Sequence, residues 1–330
     1  MSLDLPLVRG SVDPLAELRE GFDPVRLLRE GADALPVPSD GVRAVCAFAA
    51  TPGGGLLVEG AGTPSEPLRL SRLEACDALA LIDEGATALL LGLSSGGELG
   101  IGLALRAPLE REGMRWAHLR WSGHLLMGDD PAFAMPLSAL AAWHAASRFC
   151  SRCGAPVRPV EAGWASECSG CARLDYPRQD PAIIVRIEDA DGRILLAHNA
   201  AWVEPMHSLI AGFVEAGESP EAAVVREVRE EVGLEIEAPV YRATQPWPFP
   251  RSQMMGFVTR LASGCAPEPR PDGVEITRAR FYSRAEFAAA IAEGSLTAPG
   301  PTSIAHALVA EWYGGPIPPS PLALDPLRRP

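Results

Sequence analysis

The stretch Gly212-Phe-Val-Glu-Ala-Gly-Glu218-Ser-Pro-Glu-Ala-Ala-Val-Val-Arg226-Glu227-Val-Arg-Glu230-Glu231-Val-Gly233-Leu234 decides the fold. Ser219 is a helix N-cap, Pro220 suits the first helical position, and Gly233 is a stop, so a helix is expected over about 219–232. At 100° per residue, Glu227, Glu230 and Glu231 share one face, and Val224, Val225, Val228 and Val232 form a separate apolar face. Stacked carboxylates repel unless a cation joins them. Hard cations take such all-oxygen ligation, and Mg²⁺ or Mn²⁺ suits it better than zinc. The alternative, a solvated acidic face, accounts for Glu230-Glu231 but not for the glycine loop and Glu218 upstream.

Working outward, Ala182–Glu188 reads as a buried strand, Asp191-Gly192 as a hairpin turn and Arg193–His198 as the returning strand. Gly256–Leu261 and Ala279–Tyr282 are further strands, and 284–293 and 302–313 are helices. Strands and helices mixed over this length predict one α/β (α+β) domain. Upstream, Leu56–Val58 and Ala88–Gly92 read as strands and 136–147 as a helix. Two Asp-Pro…Leu-Arg-Glu-Gly copies, at 13–21 and 23–31, read as short helical turns. His118, His124 and His144 are dispersed and are taken as structural or surface residues.

Cys150-x2-Cys153 and Cys168-x2-Cys171 give four thiolates that close a tetrahedron around zinc. With every position filled by protein, that zinc, one per chain, is structural. The rival reading is a pair of disulfides, which a reducing compartment disfavours. The cysteines divide the chain into an N-terminal mixed α/β domain (1–147, structural and dimerising), a zinc ribbon (148–175), the α/β domain (176–316) and a Pro-rich tail (317–330).

Composition narrows the chemistry. The 330 residues carry 29 basic and 42 acidic side chains, a formal charge of -13, and no lysine. Schiff-base chemistry and a Walker A loop are therefore excluded. An acidic chain has no general attraction for nucleic acid. No apolar run nears the roughly 20 residues that span a bilayer, so no membrane partner is expected. The start MSLDLPLVRG lacks a basic n-region and a long apolar run, which leads to the expectation of a cytoplasmic protein.

The Gly212–Leu234 stretch resembles, at every defined position, the Nudix box of hydrolases that cleave nucleoside diphosphates linked to another group. That resemblance implies a Nudix fold, a mixed sheet flanked by helices. It further implies that Glu227, Glu230 and Glu231 are metal ligands with the Gly212 carbonyl, one glutamate also handling the proton of the attacking water. Arg226 would brace the helix by pairing with Glu218.

Residues 244–252 (Thr-Gln-Pro-Trp-Pro-Phe-Pro-Arg-Ser) resemble the SQPWPFPxS signature of the NADH pyrophosphatases, the NudC-type NAD⁺ diphosphatases, with Thr for the first Ser. The four-cysteine ribbon, Tyr176-Pro177-Arg178 and Ala211–Glu215 agree with that subfamily, and the resemblance is strong over 143–312. It implies metal-dependent hydrolysis of NADH or NAD⁺ to AMP and the nicotinamide mononucleotide, with NAD-cap removal from RNA as a further activity. It also implies a homodimer in which Phe213 and the other subunit's counterpart of Tyr176 wall the nicotinamide. Glu275 would complete the metal site, and Gln245, Trp247, Phe249, Ser252 and Ala305 would meet substrate. A preference for ADP-ribose or another dinucleotide, and a non-catalytic nucleotide sensor, stay open as alternatives.

Overall fold

Strand Asp180–Glu188 sorts the core of the C-terminal half, because its alternate side chains feed opposite faces of one sheet. Ile183, Val185 and Ile187 point to one buried cluster, whereas Ile184 enters another. The computed structural model describes residues 3–35, 41–63, 65–109 and 114–319. The expected Pro-rich tail lies, from residue 320 onward, outside the described residues. The described chain forms two compact units, one from residues 179–247 and 252–319 with 3–5, the other from 6–178 with 248–251.

In the first unit the sheet runs Val240–Trp247, Ser252–Arg260, Asp180–Glu188, Ile194–Asn199, Ile276–Tyr282. Asp180–Glu188 pairs in parallel with Ser252–Arg260, and its other edge is shared by two antiparallel neighbours. Ile194–Asn199 takes the end at Glu188, and Ile210–Phe213 takes residues 182–185, which sets Gly212 opposite Ile183. The acidic helix Pro220–Val232 covers one face, and Arg284–Ala292 with Ile304–Tyr313 covers the other. This is a mixed α/β fold, a mixed sheet with helices on both faces.

The acidic helix starts and stops where its sequence directs. Ser219 Oγ accepts from the Ala222 N–H, and Gly233 closes the end at φ 63°. Its core face differs in one detail. Ala223, Val224, Val228 and Val232 are buried, while Val225 is only half-buried, so the apolar stripe is rotated by one residue.

The second unit holds a seven-stranded sheet ordered Val12–Asp13, Thr87–Ser94, Glu98–Ala104, Ala44–Ala50, Gly55–Glu59, Arg69–Leu70, with Arg115–His118 on Gly55–Glu59. The helix expected at 136–147 begins six residues earlier, as Asp130–Ala146, with Pro136 inside it. The helix passes through Pro136, and its first residue, Asp130, is anchored to the neighbouring strand. This buried carboxylate accepts from the Leu70 N–H at 2.8 Å and from Arg72 at 3.0 Å. Of the two Asp-Pro copies, Asp23 caps a helix at Pro24–Glu30, and the first copy forms only a 3₁₀ turn at Ala16–Leu18.

Val157–Val160, Ala165–Cys168 and Leu174–Asp175 make a three-stranded antiparallel ribbon within this same unit. Trp164 ties it to the larger sheet. Its Nε1 donates to the Leu90 carbonyl at 2.6 Å, and the Arg19 guanidinium lies 3.5 Å over its ring.

Candidate active site and zinc site

The four cysteine sulfurs lie within 4.8 Å of one another. Their closest separations are 3.4 Å (Cys153–Cys168), 3.6 Å (Cys153–Cys171) and 3.8 Å (Cys150–Cys171). A tetrahedron with metal–sulfur bonds of ~2.3 Å has edges of about 3.8 Å, so the set has the size zinc needs. The spacing is far beyond a disulfide, and all seven cysteines are free. Backbone N–H groups of Cys171 and Gly170 point at Cys168 Sγ at 3.4 and 3.3 Å. The Cys171 N–H is the main cause that lowers the Cys168 thiol to about 6, favouring the thiolate that binds metal.

The second cluster is built on the acidic helix. Glu231 is 5% exposed, Glu227 is largely buried, and the Glu230 side chain is turned outward. Burial, followed by the charges of Glu227, Glu275, Asp272 and Glu230, pushes the Glu231 carboxyl up to about 8. Burial likewise raises Glu227. Glu231 Oε2 is buried without a hydrogen-bond partner. Four neighbouring acids thus act on Glu231 by their charge while one of its own oxygens is unsatisfied, and a divalent cation is the group that would relieve them. Gly212 fits the same purpose. A Cβ there would collide with the Glu227 carboxylate, so only glycine lets the strand Ile210–Phe213 run this close to the acid.

Arg226 organises the rim. Its Nε and Nη2 form a bidentate pair with Glu218 at 2.8 Å each, and Nη2 also donates to the Phe213 carbonyl at 2.9 Å. Its Nη1 reaches Glu227 at 2.8 Å and Glu230 at 3.0 Å. The Arg226 hydrogen bonds hold Glu218 down to about 2, with help from the Glu215 N–H. One guanidinium therefore ties the glycine loop to two of the helix acids.

Glu275, whose charge acts on Glu227 and Glu231, stands on a turn held by Asp272, a residue the sequence analysis did not single out. Asp272 accepts from the N–H groups of Val274, Glu275 and Ile276, at 2.8–3.2 Å, and its own N–H donates to the Glu231 carbonyl. Asp272 thereby fixes where Glu275 stands. The Asp272-Gly273 pair, an ordinary turn signal, was the available clue.

The residues expected to meet substrate divide. Phe213, beside Gly212, is 59% exposed, and Tyr176 is 57% exposed with its hydroxyl donating to Glu161 at 3.2 Å. The proline-rich segment is partly strand: Thr244–Trp247 pairs with Ser252–Met255, and 248–251 form the hairpin tip. Gln245 is 0% exposed, its Nε2 donating to the Thr302 carbonyl and its Oε1 accepting from Ile304 N–H at 2.7 Å. Its amide braces the start of the helix that carries Ala305, itself buried. Ser252, paired with Trp247 at the base of the tip, is buried, and Trp247 is half-buried. Phe249 packs its ring 5.4 Å from that of His118 and against Gly54.

Comparison with known proteins adds to this geometry. Relatives named "NAD-capped RNA hydrolase NudC" are 41% identical: over 202 residues in Mycobacterium bovis (strain BCG / Pasteur 1173P2), covering 59% of this chain and 64% of that one, and over 183 residues in Pseudomonas aeruginosa (strain LESB58), covering 55% and 64%. The matched region thus spans just under two thirds of these relatives' own length. Family profiles described as "NADH pyrophosphatase zinc ribbon domain" and "NUDIX domain" match residues 145–174 and 177–299, the segments that hold the four cysteines and the carboxylate cluster. With sulfurs spaced for zinc and an acidic helix on a mixed sheet, this chain carries a NADH pyrophosphatase zinc ribbon followed by a NUDIX domain.

Proposed function

We propose that this protein hydrolyses the pyrophosphate of NADH or NAD⁺ to AMP and the nicotinamide mononucleotide, and removes NAD caps from RNA. The observation that carries the reading is the buried Glu231 carboxyl, its Oε2 unpartnered and its proton held by burial and by the charges of Glu227 and Glu275, with Gly212 pressed against Glu227. The NudC names of the relatives and the zinc ribbon support the substrate class.

Glu227, Glu230, Glu231, Glu275 and the Gly212 carbonyl would hold Mg²⁺ or Mn²⁺. When bound, such an ion neutralises charge on the pyrophosphate oxygens and acidifies a coordinated water. The chain's own part is positional and acid–base. One helix glutamate accepts the proton of the attacking water. Arg226 and Glu218 keep the glycine loop in register with the helix. Asp272 positions Glu275, and Gln245 positions the turn at Ala305.

Phe213 and Tyr176 supply flat faces for the nicotinamide ring, each worth about 0.5–1.5 kcal/mol beyond area burial in such contacts. Tyr176 serves the other subunit of a homodimer. Trp247 and Ser252 close the paired part of the hairpin, Phe249 shapes its tip, and all three would meet substrate. The zinc, one per chain, is structural.

Steady-state hydrolysis of NADH, NAD⁺, NAD-capped RNA and ADP-ribose, side by side with Mg²⁺ or Mn²⁺, tests this reading. Faster turnover of ADP-ribose than of all three NAD substrates, or turnover of none, would remove it.

A further inference from the structure

Away from the carboxylates, the unit that contains the ribbon has a cavity of about 620 Å³, within the size range of small-ligand sites. Its walls come from the ends of Thr87–Ser94 and Glu98–Ala104, the last turn of Asp130–Ala146, and ribbon strands Val157–Val160 and Ala165–Cys168. Every lining residue belongs to this one compact unit.

Four features of the lining point to a ligand. Arg106 and Arg148 stand at it, both exposed, and neither makes an ion pair among the described residues. In a chain of charge -13, two guanidiniums without an ion pair at one cavity form a local anion site. Phe149 lines the same cavity, 64% exposed, and its ring makes no aromatic contact among the described residues. Ser166 also lines it, and although only 1% exposed its hydroxyl has no hydrogen-bond partner. A buried orphan hydroxyl is costly unless an incoming group satisfies it. His144 adds an acceptor. Its Nε2 lies 2.8 Å from the Gly163 carbonyl and must donate there, leaving Nδ1 with a lone pair.

We propose that this cavity binds a nucleoside 5′-monophosphate, with the phosphate on Arg106 and Arg148, the base against Phe149, and sugar or base polar groups at Ser166 and His144. An apolar ligand would leave the guanidiniums without purpose, and a bare anion would leave most of the volume and the aromatic ring unused. Because ribbon and sheet share the walls, occupancy fastens the ribbon to the unit that carries it. The assignment does not depend on the hydrolase reading, since none of these residues belongs to the carboxylate site.

The test is calorimetric titration of AMP, adenosine and inorganic phosphate into the full zinc-loaded protein without added Mg²⁺ or Mn²⁺, when the carboxylate cluster repels AMP. AMP should bind more tightly than adenosine or phosphate. The double variant Arg106→Ala/Arg148→Ala should weaken AMP by about tenfold or more and leave adenosine within about threefold. Phe149→Ala should weaken AMP and adenosine alike, and Phe213→Ala should change neither. NADH hydrolysis should be unaltered in the Arg106, Arg148 and Phe149 variants. All three residues are exposed, so the variants should melt as the parent does, and the single changes Arg106→Gln and Arg148→Gln replace any double variant that does not. Absence of AMP binding at millimolar concentration, equal affinity in the arginine variants, or phosphate binding as tightly as AMP would each overturn the proposal.

Discussion

The chain holds two clusters of potential metal ligands, and they are built on opposite principles. At the ribbon, four soft sulfurs stand at the corners of a ready tetrahedron, with backbone N–H groups already stabilising a thiolate. At the acidic helix, hard oxygens from two separate segments crowd together, one of them buried without a partner. The first cluster is closed and its metal is part of the fold. The second is held together by helix, strand and Arg226, and its charge is left unbalanced. The fold makes the repulsion tolerable but does not remove it, which is what a site with an open position for substrate requires.

The comparison predicts opposite responses to losing a ligand. Cys168→Ser should empty the zinc site and unfold residues 148–175, because metal binding in isolated fingers is worth roughly 10–16 kcal/mol. Metal analysis should fall from one zinc per chain to none, and limited proteolysis should cut within the ribbon. Glu231→Gln should do the reverse. It replaces a buried carboxyl that burial already biases toward its neutral form and whose Oε2 has no partner, so the melting temperature without added divalent ion should equal or exceed the parent's. Turnover should nevertheless fall by about 10²-fold or more. A Glu231→Gln protein that melts well below the parent would show that this carboxylate is a structural group and would break the contrast.

Gly212→Ala tests whether the open site is as tightly shaped as the closed one. The added methyl would meet the Glu227 carboxylate, so strand or acid must move. Overpacking of this kind costs about 1–3 kcal/mol, and the displaced acid should lower turnover more than it lowers affinity for dinucleotide. Kinetics with kcat and KM resolved, alongside a melting curve, separates the two effects. An unchanged kcat would mean the strand has room to shift.

The same contrast shows what a sequence discloses. The acidic helix was legible because its cap, its first-turn proline and its terminal glycine all agree, and the flanking strands alternate over Ala182–Glu188. The cysteines were legible by spacing alone. Much of the N-terminal sheet was not. Strands Ala44–Ala50 (AVCAFAA) and Glu98–Ala104 (ELGIGLA) are poor in β-branched residues and buried on both faces, so neither propensity nor period 2 marks them. Gly100 and Gly102 sit there because Phe133 and Leu137 of the long helix press on the strand, a tertiary cause that no local pattern carries. Gln245 and Phe249 were grouped by motif, yet the fold directs one inward to a helix start and the other onto His118. Motif membership identified the segment; packing assigned the side chains.

The smallest effect concerns how the acidic helix is anchored. Ser219 is its only side-chain N-cap, accepting from the Ala222 N–H at 3.2 Å. Ser219→Ala should cost about 1 kcal/mol, the usual worth of such a cap. The helix start is also held by the Glu218–Arg226 pair next to it, so fraying should stop short of Glu227. The change should therefore lower the melting temperature by a few degrees and leave kcat close to the parent's. Glu218→Gln combined with Ser219→Ala removes both restraints on the same turn, and here kcat should drop as the loop and Glu227 lose their common partner. Additive melting losses with no extra loss of kcat in the double variant would mean that Arg226 holds Glu227 without help from the loop, and that the open site is more rigid than its hydrogen bonds imply.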